Sequence, residues 1–224
     1  TGGIIYWRIQ DLNKRERIEN QLQRRIQKLH TEALRTQMNP HFIYNALNAI
    51  QDFFVSGQLE PSLKYLSKFA QMIRLIFEHS SQEYISLEEE LEFLDLYLQL
   101  EKLRFGDRIE IHFTVEEQLT RQTDEFLLPP LLIQPIIENA FKHGLFHRLL
   151  GGKLWVSFEL WQDTSIKCVV EDNGVGRAKA KELNNWKYKE RNITGLEDTQ
   201  ERLNMHKREK SHQPPASLVI EAIF

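Results

Sequence analysis

The sequence predicts an α+β protein in which a helical first half is followed by a two-layer α/β domain. Up to about Phe105, apolar residues recur with the 3.6-residue period of amphipathic helices. From Gly106 onward the period changes to two, and segments with strand alternation are mixed with helical ones. Strands mixed with helices in this way are typical of helices packed on a sheet.

The first predicted element is a leading helix over residues 8–38, which contain neither Gly nor Pro. Its apolar positions step by four, three and four, so it is either one strand of a coiled coil or a solvated single helix. Pro40 should end or kink this helix because proline lacks an amide N–H. The helical pattern resumes over residues 41–54, where an apolar stripe is accompanied by a polar one. The polar stripe consists of His41, Asn45, Asn48 and Asp52.

Two further helices complete the first half. A turn at Gly57 precedes a third helix, with Pro61 expected at its first position. Ser86 and Glu89 form a capping-box signature, which opens a fourth helix that runs through about Phe105. We expect these helices to pack as hairpins of a bundle.

The second half mixes strands with helices. Ile109, Ile111, Phe113 and Val115 alternate with polar residues, which predicts a half-buried strand. The other predicted elements are a helix over about 130–143, strands over 154–160 and 166–170, a loop over 173–194, a helix over about 196–207 and a strand over 217–224.

Composition restricts the class of protein. Hydrophobic residues make up 41% of the chain and charged residues 27%, which is ordinary for a soluble globular protein. The net charge of -3 argues against a nucleic-acid partner, because such proteins usually carry a basic surface. The one cysteine, Cys168, excludes an internal disulfide and lies in an apolar run, so we expect a core residue in a reducing cytoplasm.

The beginning of the chain indicates attachment to a membrane. Ile4-Ile5-Tyr6-Trp7 is followed by Arg8, Lys14, Arg15 and Arg17, an order typical of a membrane helix that ends in the cytoplasm. No stretch of the chain reaches the roughly 18 to 20 apolar residues that a spanning helix needs. We therefore expect a soluble fragment from the cytoplasmic side of a bacterial membrane, without its N-terminal membrane or sensor region.

The first chemically suggestive motif is QMNPHFIYN at residues 37–45. A histidine on a polar stripe directly after a proline should be exposed, and neutral imidazole is a nucleophile near pH 7 because its pKa is about 6.5. Asn45 follows His41 by one turn, so it is placed to hold one ring nitrogen and leave the other free to attack phosphorus. The alternative is a surface or capping histidine.

The second motif is QPIIENAFKHG at residues 134–144. Asn139, Lys142 and His143 are spaced three and four apart, so on an α-helix they share one face. The amide oxygen of Asn139 suits Mg²⁺, and Lys142 offsets phosphate charge. The alternative is a plain surface ion pair between Glu138 and Lys142.

The third motif is DNGVG at residues 172–176. Asp172 keeps the phase of the preceding strand, so it should point inward. A buried carboxylate needs hydrogen-bond donors, which an adenine amino group and water would supply. Gly174 and Gly176 would let the backbone turn sharply and approach a ligand, although the tract also suits an ordinary turn. A fourth, weaker signal is Gly195 before the last predicted helix, where backbone N–H groups attract phosphate.

In their order and spacing these motifs resemble the GHKL-type ATP-binding fold, with an asparagine box, then DNGVG, then a glycine before a helix. Three segments resemble the LytS-type sensor histidine kinases. They are LRTQMNPHFIYNALNAI (34–50), ISLEEELEFLDLYLQLEKLRF (85–105) and LPPLLIQPIIENAFKHG (128–144). The resemblance covers about residues 34–224, nearly all of the chain beyond the leading helix.

This resemblance implies a protein-histidine kinase that uses ATP and Mg²⁺. It implies that His41 accepts the phosphoryl group, with Asn45 orienting the ring, and that Asn139 binds Mg²⁺. The other residues that it places at the nucleotide are Lys142 and His143 near the phosphates, Asp172 at the adenine, and Gly174, Gly176, Gly195 and Leu196 around the pocket.

The resemblance also implies a domain order and partners. Residues 1–33 would be a membrane-proximal signalling helix, residues 34–105 the helical dimerisation and phosphoacceptor region, and residues 106–224 the GHKL-type ATP-binding domain. The expected partners are a second copy of the chain and a response regulator, which accepts the phosphoryl group on an aspartate.

Two positions depart from the patterns of relatives. Ile193 stands where LytS-type relatives commonly have the first glycine of Gly-x-Gly-Leu, which should weaken nucleotide binding. Phe42 stands where many other histidine kinases have an acid, so the general base is not identified. Two alternatives remain: a signalling scaffold that turns over no ATP, and a GHKL ATPase that phosphorylates serine or drives a conformational change. The NPHF segment argues against the second alternative, which has no need of its histidine.

Overall fold

A computed structural model describes residues 40–146, 148–162, 165–176 and 217–223 of the chain. The predicted leading helix, most of the loop over 173–194 and the predicted helix over 196–207 lie outside these residues. By its internal contacts the chain divides into two compact units, Thr1–Phe77 and Glu78–Phe224. The functional boundaries predicted after residues 33 and 105 stay predictions.

In the first unit, α1 (Pro40–Val55) and α2 (Leu59–Ser80, whose last turn belongs to the second unit) form an antiparallel helical hairpin. Two ring pairs join the helices: Phe42 with Phe69, with centroids 6.1 Å apart, and Phe53 with Tyr65, 6.0 Å apart. The turn between the helices contains Gly57 with a φ of 74°, as the predicted turn requires. No helix within the described ranges combines the length and apolarity needed to cross a bilayer.

The apolar stripe of α1 differs in detail from the predicted one. Ile43 and Ile50 are buried as expected, but Leu47 and Phe54 are only half-buried. The rest of the buried face consists of Phe42, Ala46 and Ala49. In α2, Pro61 is the third residue rather than the first, which the helix tolerates because first-turn amides have no intrahelical acceptor.

The second unit contains both a helix layer and a sheet. Its elements in chain order are β1 (Ile85–Ser86), α3 (Leu87–Phe105), a 3-10 turn (Gly106–Arg108), β2 (Ile109–Val115), α4 (Glu117–Thr120), β3 (Leu127–Leu128), α5 (Gln134–Asn139), a π-helix (Ala140–Leu145), β4 (Gly152–Trp161), β5 (Ser165–Asp172) and β6 (Ser217–Ile223). The predicted α+β class is therefore confirmed. β1 and β3 form a small antiparallel pair that the sequence patterns did not predict.

The predicted capping box of α3 is present. Ser86 Oγ accepts a hydrogen bond from Glu89 N at 3.2 Å, and Glu89 Oε2 accepts one from Ser86 N at 2.8 Å. Both bonds pair groups that a helix end otherwise leaves without partners. The side chains of Ser86 and Glu89 together therefore set the start of α3.

The main sheet has the strand order β2-β4-β5-β6. β2 is parallel to β4, β4 is antiparallel to β5, and β5 is parallel to β6. One row of paired residues crosses the whole sheet: Phe113, Val156, Val170 and Ala222. The inner face of β4 and β5 is buried, and the π-helix packs against it, whereas Trp155 on the opposite face is 36% exposed. This layered arrangement places the ends of β5 and the π-helix next to each other.

The helix predicted over residues 130–143 is shorter and begins later. α5 begins at Gln134, because Leu131 has a φ of 56°, which no helix includes. Pro135 lies in the first turn, where its missing N–H costs nothing. After Asn139 the chain continues as a π-helix through Leu145, so the predicted helix is present here but with π-helical rather than α-helical winding.

Cys168 lies on the inner face of β5 and is fully buried, which confirms the prediction of a core residue. Burial, and secondarily the charge of Glu90, raises the pKa of its thiol. A protonated thiol is a poor nucleophile, so Cys168 acts in packing.

Candidate functional site

Asp172 is the last residue of β5, and only 8% of it is exposed. It shares the buried phase of Cys168 and Val170, so the prediction that it points inward is confirmed. Its Oδ1 accepts a hydrogen bond from Gly174 N at 2.6 Å, which turns the chain directly after the strand. The proposed role of this carboxylate toward adenine stays a prediction.

The asparagine-box segment and the DNGVG tract meet at their glycines. Val175 N donates to Gly144 O at 3.3 Å. A Cβ on Gly144 would lie 2.8 Å from Asp172 Cγ, and a Cβ on Gly174 would overlap Gly144 Cα, although real Cβ atoms essentially never approach within 3.0 Å. The space beside Gly174, which we expected to face a ligand, is thus filled by protein. Gly176 has a φ of 79° and supplies the sharp turn.

Asn173 connects this turn to the start of β4. Its Oδ1 accepts from Lys153 N at 2.7 Å, and its own N donates to Lys153 O at 3.2 Å. Its Nδ2 donates to Gly151 O at 3.1 Å. Its carbonyl oxygen accepts a hydrogen bond from Arg148 Nη1. Asn173 is therefore held in place by four hydrogen bonds.

The predicted magnesium ligand, Asn139, is the last residue of α5 and is half-buried, whereas Lys142 in the π-helix is exposed. For His143 only the backbone is described. A π-helix bonds residue i to i+5 and so has more residues per turn than an α-helix, and the spacing of three between Asn139 and Lys142 no longer places their side chains on one face. The geometric reason for grouping these three residues therefore fails here, and their grouping rests on the resemblance.

Aromatic packing holds the π-helix in place. Phe141 is 2% exposed, and its ring stacks on Phe105 of α3 with centroids 5.6 Å apart. The rings of Phe141 and Tyr97 of α3 pack in a T-shaped arrangement, with centroids 6.3 Å apart. The helix layer thus fixes the segment that carries Gly144, and π-helical segments are frequent at functional sites.

A buried acid lies beside α5. Glu101 of α3 is 1% exposed, and its Oε2 lies 2.5 Å from Arg104 Nη2. Burial raises the pKa of Glu101 to about 7, while Arg104 opposes the increase and Glu138 adds to it. Glu138, whose charge contributes to this increase in pKa, directly precedes the predicted magnesium ligand Asn139.

We expect Glu101→Gln to stabilise the protein increasingly as pH rises. The pKa of Glu101 is about 7 in the folded chain, whereas an ordinary solvated glutamate has a pKa of 4.5. Folding therefore favours the protonated form, and the stability that Glu101 contributes below pH 4.5 is lost as pH rises through 7. Neutral glutamine avoids this loss, which is about 3 kcal/mol for such a pKa difference.

Urea denaturation at pH 5, 6, 7 and 8 measures this effect. The free energy of unfolding of Glu101→Gln should exceed that of the wild type increasingly toward pH 8. Glu92→Gln, which changes an exposed carboxylate on the same helix, is the control and should show no such trend. A constant difference across the pH range would contradict the prediction.

The predicted phosphoacceptor lies in the first unit. His41 is the second residue of α1, and only its backbone is described. Along the same polar stripe, Asn45 is half-buried, while Asn48 and Asp52 are exposed. The polar stripe thus lies on the accessible side of the helix from Asn48 onward, in agreement with its sequence pattern.

The donors present fit a magnesium ion that is held largely by phosphate. In the parts of the chain that the structure describes, no three or more His, Cys, Asp or Glu side chains cluster as a metal site. Mg²⁺ commonly takes one or two protein ligands together with substrate phosphates, and the Asn139 amide is one hard oxygen ligand. Gly195 and Leu196, and with them Ile193, lie outside the described residues.

Three residues of this region were missed in the sequence patterns. Gly144 closes the asparagine box without a signal of its own, and Asn173 carries only a turn signal. Arg148 carried no signal at all, because its contact with Asn173 spans 25 positions. The Asn-Gly pair inside DNGVG is a turn signal, but nothing in it shows what the asparagine side chain binds.

Comparison with known proteins supports the resemblance. A family model described as histidine kinase matches residues 29–109. The uncharacterized protein YwpD of Bacillus subtilis is 32% identical over 177 residues, which are 79% of this chain and 60% of YwpD. The sensor histidine kinase/phosphatase LytS of Staphylococcus aureus strain Mu50 is 33% identical over 150 residues, which are 67% of this chain and 25% of LytS.

The matches cover most of this chain but only part of each relative. The chain spans 60% of YwpD and a quarter of LytS. Together with the motifs, the family match and the LytS relatives identify the family. The chain belongs to the LytS-type histidine kinases.

Proposed function

We propose that this chain is the catalytic part of a two-component sensor histidine kinase. It binds ATP with Mg²⁺, transfers the γ-phosphoryl group to His41, and passes that group to an aspartate of a response regulator. Its relative LytS carries the name of a sensor histidine kinase/phosphatase, which supports this class of activity.

The observation that carries the proposal is the meeting of Gly144, Asp172 and Gly174. Two motifs separated in sequence pack so closely that a Cβ on either glycine would collide with its neighbours. A buried carboxylate lies at their junction, at the end of β5. Such a carboxylate can accept a hydrogen bond from the amino group of adenine. Asn139 and Lys142 lie on the helical segment that leads to Gly144.

The proposed reaction is an in-line transfer. The unprotonated ring nitrogen of His41 attacks the γ-phosphorus, and the bond to the β,γ-bridging oxygen breaks, so ADP leaves with that electron pair. Lys142 offsets phosphate charge, and Asn45 orients the ring of His41. When bound at Asn139, Mg²⁺ supplies charge neutralisation at the phosphates. Positioning accounts for most of the remaining rate acceleration.

The proposal includes a homodimer and a place on the cytoplasmic side of the membrane. Apolar side chains of the helical hairpin support the first part, because Val55 is 78% exposed and Leu63 is 48% exposed. Both residues lie within two turns of the inter-helix turn, where a second helical surface would cover them. Attachment to a membrane is supported by the order of apolar and basic residues at the start of the sequence.

Incubation with Mg²⁺ and γ-labelled ATP tests the proposal. We expect the wild-type chain to acquire label that is lost in acid, as a phosphoramidate is. His41→Gln should remove the label completely and retain ATP binding, and Asp172→Ala should lose both. His112→Gln, which changes a histidine on the outer face of the sheet, is the matched control and should label normally.

Three results would count against parts of the proposal. Label that persists in His41→Gln would identify a different acceptor. Acid-stable label would favour phosphorylation of serine. ATP binding by the wild type without any label would favour the signalling scaffold. The sequence feature that supports this alternative is Ile193, which stands in place of the first glycine of Gly-x-Gly-Leu.

A further inference from the structure

We propose that Asn173 and Arg148 are positioning residues that make this site prefer adenine over guanine nucleotides. The inference rests on the proposed function, because it concerns how the adenine-binding carboxylate is held. Neither residue is expected to touch the nucleotide. Both act through Asp172, whose orientation their hydrogen bonds determine.

Asn173 extends the β4–β5 ladder by one residue with its side chain. The last regular pair joins Leu154 to Asp172. Beyond it, Lys153 N donates to the side-chain Oδ1 of Asn173 rather than to a backbone carbonyl, while Asn173 N still donates to Lys153 O. The end of β5 is therefore secured immediately after Asp172, where strand ends otherwise fray.

Arg148 secures the same turn from the other side. Its guanidinium donates to the carbonyl oxygen of Asn173, and its backbone N donates to Leu145 O at 2.9 Å. Leu145 is the last residue of the π-helix. Arg148 thus couples the end of the asparagine-box segment to the DNGVG turn. A lysine would retain the charge but lose the fixed planar fork of donors.

These contacts restrain the backbone immediately after Asp172, and with it the direction from which its carboxylate reaches a ligand. β5 holds the residue from one side, Asn173 from the other, and Gly174 N binds its Oδ1 at 2.6 Å. Adenine carries an amino donor where guanine carries the O6 acceptor. A carboxylate with a fixed orientation binds that donor and is repelled by the acceptor, whereas a mobile carboxylate can turn away from the acceptor and so discriminates less. A site built to hydrogen-bond one group rejects a mismatched analogue strongly.

The test compares dissociation constants for Mg-ATP and Mg-GTP by calorimetry, with thermal unfolding of every variant alongside. We expect Asn173→Ala to weaken ATP binding about tenfold or more, which is the effect of losing the hydrogen bond between Asp172 and the adenine amino group. GTP binding, which lacks this bond, should be nearly unchanged. Asn173→Asp retains the Oδ1 acceptor for Lys153 N and should restore part of the preference. Arg148→Lys should lower the ATP-to-GTP preference, and Arg121→Ala, a control at an exposed arginine, should not.

The outcomes separate a positioning role from a purely structural one. Equal weakening of ATP and GTP binding, in step with a lower unfolding temperature, would overturn the proposal. So would variants that retain the wild-type preference. If Asn173→Ala fails to fold, the half-exposed Arg148 still carries the test through its lysine variant. A folded wild type that binds no ATP would instead overturn the proposed function, and this inference with it.

Discussion

Gly144→Ala is expected to weaken ATP binding about 100-fold, which corresponds to the loss of one or two strong hydrogen bonds to a charged group. The added Cβ would lie 2.8 Å from Asp172 Cγ and 2.9 Å from Oδ2. The carboxylate cannot simply rotate away, because it is short, buried and bonded to Gly174 N. Either Asp172 or the π-helix must move, and both alter the proposed adenine site.

Calorimetric titration with Mg-ATP and thermal unfolding measure the two consequences. Overpacking of this kind also costs about 1–3 kcal/mol of stability. The control is Gly57→Ala, which places a side chain at a φ of 74° with nothing within 4 Å, so it has a backbone cost without a collision. Its ATP affinity should equal that of the wild type. Wild-type affinity in Gly144→Ala would show that Asp172 does not contact the nucleotide.

Local signals predicted the regular elements well. Ser86 and Glu89 marked the start of α3 because both partners of a capping box lie within one turn. The alternation of Ile166, Cys168 and Val170 predicted not only β5 but also the inward side chain of Asp172. In these cases the physical cause is short-range, so that a few neighbouring residues contain it completely.

The features that escaped prediction depend on distant contacts. The π-helical winding of Ala140–Leu145 had no signal in the apolar pattern, and its residue Phe141 stacks on Phe105, 36 positions earlier in the chain. The requirement for glycine at position 144 arises from Asp172, which lies 28 positions later in the chain. The late start of α5 likewise depends on a side chain of α3. The apolar period predicts which face of an element is buried, but it does not predict which distant residues pack against that face.

That side chain is Glu90, which acts as the missing N-terminal cap of α5. It is completely buried, and its two carboxylate oxygens accept from Leu131 N at 3.0 Å and from Ile133 N at 3.1 Å. Ile133 occupies the cap position of α5 but has no side-chain oxygen to serve there. A carboxylate at this end also suits the positive pole of the helix. Glu90 thereby couples α3 to the helix that carries Asn139.

Glu90→Ala is therefore expected to destabilise the protein by about 3–5 kcal/mol, because it leaves buried N–H groups unpaired and opens a cavity. Glu90→Gln should cost less, since one acceptor oxygen remains, but its NH₂ group would face a second donor. Urea denaturation measures both losses, and Glu92→Ala on the exposed side of α3 is the control, with a change within about 0.5 kcal/mol. Amide hydrogen exchange should accelerate first around residues 131–139, the segment that Glu90 holds. Equal stability of Glu90→Ala and Glu92→Ala would mean that α5 is positioned by its apolar packing alone.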